Sequence, residues 1–296
     1  MTTVLSDLTP AAQHLAPPEG PMLVAVRESV ADRSAVDWAA RRAESRAVPL
    51  TLLHAVPDPS LMPPGTAYEE VVSAGRELLN REAARVTLEH PGLRLATYLY
   101  CGDVVEALLG LSAAAPMIVV GADRRDLRTG EFKDSVALQV ALNSSAPVVV
   151  VPPAYTYGPA NQDKGGAVVG IDGSGMSQVA LIRGAEEAHS AALHLTVVVA
   201  SGPLTERMEV TASTMLQDVR VRYPHMRVSW IVDDAHSPVQ LLNAYGRGSD
   251  LVVIGRHGTG ARSGMSLGRV TRKLLLDPPC PTLIVTRRQP GLPDGS

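Results

Sequence analysis

Apolar and polar positions along this chain recur with two different periods. Short apolar runs such as Met22 to Val26 and Leu50 to Val56 alternate with longer stretches such as Ser34 to Arg46, where the alanines and Trp38 share one face. A short unbroken apolar run reads as a buried strand, and a recurrence near 3.6 residues reads as a helix with one apolar face. Their alternation predicts an α/β fold with a parallel sheet. In the first half the pattern continues with helices at about 68–88, 103–114 and 135–144 and strands at about 94–100, 117–121 and 147–151. In the second half it predicts strands near 167–172, 194–200, 227–232, 250–255 and 282–286, and helices near 176–191, 204–222, 237–247 and 267–276. Five strands and four helices per half match a doubly wound domain in count.

The two halves also repeat in sequence. The second-half stretch LVVIGRHGTGARSGMSLGRVTRKLLLDPPCPTLIV aligns with MIVVGADRRDLRTGEFKDSVALQVALNSSAPVVVV at an offset of 134, which relates Gly121 to Gly255, Ser135 to Arg269 and Pro147 to Pro281. Nearer the front of each half, Val26-Arg27-Glu28-Ser29 aligns with Ile171-Asp172-Gly173-Ser174 at an offset of 145. The first half therefore carries 11 extra residues between these points, which the sequence places in the Pro-rich loop 57–70. Loop tips tolerate insertions best. The expected division is a loose arm over 1–20, a domain over 21–152, a linker over 153–165, a domain over 166–287 and a disordered tail over 288–296.

Composition narrows the function classes. At 296 residues the length suits two domains of roughly 100–200 residues each. Hydrophobic content of 45% and charged content of 19% describe a globular protein, and only 3% aromatic residues leaves an aliphatic core. A net charge of −3 argues against a nucleic-acid binder, which would show a basic excess. Cys101 and Cys280 have no metal-type spacing and read as buried reduced thiols, one per half. A signal-peptide pattern and an apolar run of about 20 residues are both missing, so the expected location is the cytoplasm, with no membrane partner.

Candidate chemistry gathers on two loops of the second half. In the first, Gly170-Ile171-Asp172-Gly173-Ser174, a strand ends and a helix begins. The second runs from Gly255-Arg256-His257-Gly258 to Gly268-Arg269-Val270-Thr271, where another helix opens. Glycines let a backbone turn tightly and approach a ligand closely. A helix start offers unpaired N–H groups and the positive end of its dipole, which suit an anion. The Thr271 hydroxyl and Arg269 guanidinium supply further donors. Asp172 is placed to accept hydrogen bonds from a base or ribose, or to act as a simple turn residue. Arg269 either clamps a phosphate or blocks the site by bulk.

These motifs together resemble the universal stress protein family in its tandem two-domain form. The family's nucleotide binders carry Gly-x2-Gly-x9-Gly-Ser/Thr, and this chain reads Gly255-x2-Gly258-x9-Gly268-Arg269, with Arg269 departing from the pattern and Thr271 matching a second hydroxyl. Ile171-Asp172-Gly173-Ser174 resembles the family's opening Val-Asp-Gly-Ser, and Cys280-Pro281-Thr282-Leu283-Ile284-Val285 its closing strand. The resemblance implies a five-stranded parallel sheet of order 3-2-1-4-5 in each domain, with helices on both faces. It implies ATP accompanied by magnesium at the reversal between strands 1 and 4. Asp172 would lie near adenine or ribose, Val199 and Val232 would line the base, and Gly258, Gly268, Val270 and Thr271 would meet the phosphates. His257 is a loop neighbour of the ligand. It further implies that the edge strands, about 147–151 and 282–286, pair across domains or subunits, giving pseudo-symmetric domain pairing and a homodimer, and it implies a regulatory protein partner.

The first half departs from the motif. Arg27 stands in place of the acid, Arg124 and Asp134 replace two of the three glycines, and only Gly121 and Ser135 fit. A carboxylate at 134 would oppose phosphate, so this half is expected not to bind ATP in the same way. Gly264-Met265-Ser266-Leu267-Gly268 matches the hydrolase elbow G-x-S-x-G but lacks the strand that must directly precede it. With no general base evident, any ATP hydrolysis would be slow. The sequence thus points to a stress-response protein with ATP as a regulatory ligand in its second domain. A partner-binding module without nucleotide, with Arg269 as a plug, stands as the alternative.

Overall fold

The computed structural model describes residues 20–65, 67–122, 135–153, 155, 165–200, 206–233, 235–258 and 267–286. The N-terminal arm, Arg124, Asp134, most of the linker, the elbow serine Ser266 and the tail 288–296 lie outside these residues. The first half runs β1 (Met22–Ala25), α1 (Val30–Ser45), β2 (Leu50–Val56), α2 (Tyr68–Glu89), β3 (Leu95–Cys101), α3 (Val104–Leu111), β4 (Ile118–Gly121), α4 (Val136–Asn143) and β5 (Val148–Val151). The second runs β6 (Ala167–Ile171), α5 (Gly175–Ser190), β7 (Leu195–Ala200), α6 (Glu206–Arg222), β8 (Val228–Asp233), α7 (Pro238–Gly246), β9 (Leu251–Gly255), α8 (Arg269–Leu276) and β10 (Thr282–Val285).

Local chemistry explains the boundaries. Helix α1 starts four residues before the expected Ser34 because Ser29, in extended backbone, caps it by accepting from the Asp32 N–H. Ser174 caps α5 in the same way, accepting from the Ser177 N–H at 3.1 Å. The Pro-rich stretch 57–67 joins β2 to α2, and the corresponding stretch after β7, 201–205, lies outside the described residues.

The strands form one sheet in the order β3-β2-β1-β4-β5-β10-β9-β6-β7-β8. Each half has the expected order 3-2-1-4-5, parallel throughout. The halves join through β5 and β10, which run antiparallel with Leu283 opposite Val149. The pairing expected across domains or subunits is thus made between the two domains of one chain, which leaves neither β5 nor β10 as the free edge that a homodimer through these strands requires. The open edges of the sheet are β3 and β8.

Side chains along a strand alternate between faces. Val149 and Val151 accordingly join the layer under α1, α2, α5 and α6, while Val148 and Val150 join the layer under α3, α4, α7 and α8. Apolar burial on both faces is why these strands read as continuous apolar runs.

A cluster of charges links α1 to α5. Buried Glu187 pairs with Arg42, with Arg46 at 2.9 Å and with Arg183 at 3.1 Å. Burial, together with the neighbouring Arg42 and Arg183 charges, brings Arg46 down to about 9. At the 145-residue offset, Arg41 and Arg42 correspond to Glu186 and Glu187. Packing either helix against a copy of itself would oppose like charges, whereas packing α1 against α5 opposes unlike ones.

Candidate functional site

In each half the strand order reverses beside the first strand, since β1 lies between β2 and β4, and β6 between β7 and β9. Connections leaving neighbouring strands on opposite sides open a crevice there, at the carboxyl ends of the strands. In the second half this crevice receives both predicted loops. Ile171, Val199 and Val232 stand in one row across β6, β7 and β8. Ile171 and Val199 are buried, and Val232 is 44% exposed at the open end of the row.

Asp172 follows Ile171 directly. Its Oδ1 accepts from the Ser174 N–H at 3.1 Å, and Gly173 takes φ +78°. Asp172 is therefore a turn residue, and it also faces the glycine loop. A Cβ placed on Gly258 would lie 2.1 Å from Asp172 Oδ2. Only a residue without a side chain lets the two loops meet this closely.

The glycine loop is closed by its own backbone, as Gly268 N–H donates to Arg256 C=O at 2.9 Å. Gly268 is the N-cap of α8 and provides no side chain to cap it. In the first half, Ser135 caps α4 by accepting from the Leu138 N–H at 3.2 Å. Among the described residues, no side chain caps the first N–H groups of α8 as Ser135 caps α4. Arg269 is exposed and Val270 half-buried in this first turn. His257 lies within the loop, and its Cα would be 3.2 Å from a Cβ on Gly268.

Two predicted site residues hold the scaffold. Thr271 is buried, and its hydroxyl donates to the Gly255 carbonyl at 2.8 Å, so its proton ties α8 to the end of β9 rather than being offered to a phosphate. Gly255 lets helix α5 pack close, because a Cβ there would meet Met176 Cβ at 3.0 Å. Gly121 does the same in the first half against Ala31.

The matching first-half corner is chemically different. Arg27 stands at the Asp172 position, with its Nε 3.3 Å from the carboxylate of buried Asp32. His54 stands at the Val199 position, its Nδ1 2.8 Å from the Val26 carbonyl. Arg27, Ser29 and Asp32 line a charged cavity of about 390 Å³ that also reaches Leu78, Arg81 and Arg85.

Two features near the second-half site escaped sequence reasoning. At the end of β8, Asp233 accepts from the backbone and ring of His236, which hold its carboxyl below the usual range. Arg256 reaches from the glycine loop to the Leu142 carbonyl of the first half at 2.8 Å. A signal for the second was present, because the residue at the corresponding place in the first half is Ala122.

Known proteins agree with this architecture. The sequence profile described as the universal stress protein family matches residues 20–152 and 167–286. A universal stress protein of Mycolicibacterium smegmatis is 29% identical over 291 residues, covering 90% of this chain and 97% of its own. One from Mycobacterium tuberculosis is 27% identical over 310 residues, covering 92% and 97%. The crystal structure of a universal stress protein from Archaeoglobus fulgidus covers 92% of this chain and 99% of its own, with a TM-score of 0.70 at 16% identity, and shares the fold. With both halves matched by the family profile and the reversal-point crevice in place, this chain belongs to the universal stress protein family.

Proposed function

We propose that this protein is a cytoplasmic stress-response protein that binds an adenine nucleotide, ATP with magnesium, in the crevice of its second half, as a regulatory ligand read by a partner protein. The observation that carries this reading is the approach of Gly258 to the Asp172 carboxylate beside the start of α8, which no described side chain caps. A carboxylate at one end of a crevice suits hydroxyl or amino donors of a nucleoside. Backbone donors at a helix start suit its phosphates. The row of Ile171, Val199 and Val232 supplies an apolar strip for a base. Magnesium enters on the phosphates. The first half, with Arg27 in place of the acid and Ser135 capping α4, is assigned no nucleotide.

Thr271 favours the rival reading of a partner-binding module without nucleotide, because its hydroxyl proton is already committed. Arg269 counts the other way: exposed at the start of α8, it is available to a phosphate rather than packed as a plug. Calorimetric titration of nucleotide-stripped protein with Mg-ATP decides between them. One saturable site per chain, lost in Asp172→Ala and Gly258→Asp, is the expected result. No heat and no thermal stabilisation would sink the nucleotide reading.

A further inference from the structure

We infer that Arg256 is a positioning residue through which the first half fixes the two ends of the second half's glycine loop, at Gly255 and Gly268, so that nucleotide binding is coupled to the docking of helix α4. The inference rests on the nucleotide reading above.

Three contacts with described residues hold Arg256. Its N–H donates to the Val285 carbonyl at 3.2 Å, and its carbonyl accepts from the Gly268 N–H at 2.9 Å. Its guanidinium Nη1 donates to the Leu142 carbonyl at 2.8 Å in a part-buried contact. The first two contacts fix where the loop leaves β9 and where it returns at α8. The third fixes that junction to the other half. Leu142 is in the last turn of α4, where carbonyls have no intrahelical partner and the helix dipole is negative. A guanidinium there makes a charge-assisted hydrogen bond.

The contact is one-sided. At the 134-residue offset Ala122 takes the place of Arg256, and Leu276 that of Leu142. The alanine side chain has no donor to return the contact, and the Ala122 N–H is spent on the Val151 carbonyl. The neighbouring bond between the halves, from Thr286 Oγ1 to the Ser145 carbonyl at 2.9 Å, is also one-sided, because Pro152 takes the place of Thr286.

Glycine-rich backbone loses more conformational entropy on ordering than other backbone. An anchor inside the loop, between Gly255 and Gly258, meets part of that cost before a ligand arrives. Coupling of this kind is reciprocal: if docking of α4 favours the nucleotide, the nucleotide favours docking of α4. The half without the motif thereby acquires a role in binding.

The test compares the full-length wild type with Arg256→Ala, Arg256→Lys and Thr286→Val, by Mg-ATP calorimetry and by hydrogen exchange over residues 136–146. Arg256→Ala is expected to raise Kd roughly tenfold, as loss of one charge-assisted hydrogen bond would. Arg256→Lys should recover part of this. Thr286→Val removes the neighbouring bond without touching the loop, and should leave Kd unchanged. Mg-ATP should slow exchange over 136–146 in the wild type and not in Arg256→Ala. Equal Kd for wild type and Arg256→Ala, an equal loss in Thr286→Val, or no nucleotide response over 136–146 would each overturn the inference while leaving the binding site standing. A wild type that binds no nucleotide would overturn the site and the inference with it.

Discussion

The carboxyl ends of β1 and β6 present similar backbone and different chemistry. Ser29 and Ser174 cap the following helices with the same hydroxyl contact, and Gly121 and Gly255 admit those helices against the neighbouring strand. Arg27 and Asp172, His54 and Val199, and Ala122 and Arg256 differ in charge, polarity or reach. The residues that agree serve backbone geometry, and those that differ line the crevice or brace it. A fold therefore tolerates full exchange of the chemistry at its ligand corner, provided the caps and close-packing glycines remain. The charges between the halves make the same point, since Arg42 and Glu187 hold equivalent places with opposite sign.

This comparison can be broken in several ways. The largest effect is expected from Glu187→Ala, which leaves three partly buried arginines without their shared carboxylate. Stability should fall by about 3–5 kcal/mol, read by urea unfolding. Gly258→Asp should come next, setting a second carboxylate against Asp172 and raising the Kd for Mg-ATP roughly 100-fold, about 2.7 kcal/mol. Asp172→Ala keeps the loop and removes one acceptor, so about a tenfold loss is expected in the same titration. Arg27→Asp restores the acid to the first half but leaves Arg124 and Asp134 in place of glycines. The stoichiometry should remain one nucleotide per chain, and a second site would show that the acid alone separates the halves. The smallest effect concerns the thiols. Cys101, expected to be buried, is instead exposed at the end of edge strand β3, whereas burial at 2% exposure pushes the Cys280 thiol well up from its ordinary range. A thiol reagent should label one cysteine in the native protein and two after denaturation.

Much of this was legible in the chain. Leu50–Val56 and Tyr68–Glu89 follow from hydrophobic period, because burial on a sheet face or helix stripe is written into neighbouring residues. The offsets of 134 and 145 paired the two halves, and the glycine spacing located the crevice. The early start of α1 was not legible, because Arg27-Glu28-Ser29 reads equally as a turn until the Ser29 hydroxyl is seen to accept from Asp32. Thr271 read as a phosphate donor because its type and position fit, and only packing shows its proton committed to Gly255.

The sequence by itself determined the elements, their alternation and which half carries the glycine loop. All of these follow from residues close together in the chain. Tertiary structure alone decided that β5 and β10 close on each other within one chain, that Asp172 meets Gly258, and that Arg256 ends on the Leu142 carbonyl. Each joins segments far apart in sequence, and the contact forms only once strand order and helix packing have set their distance.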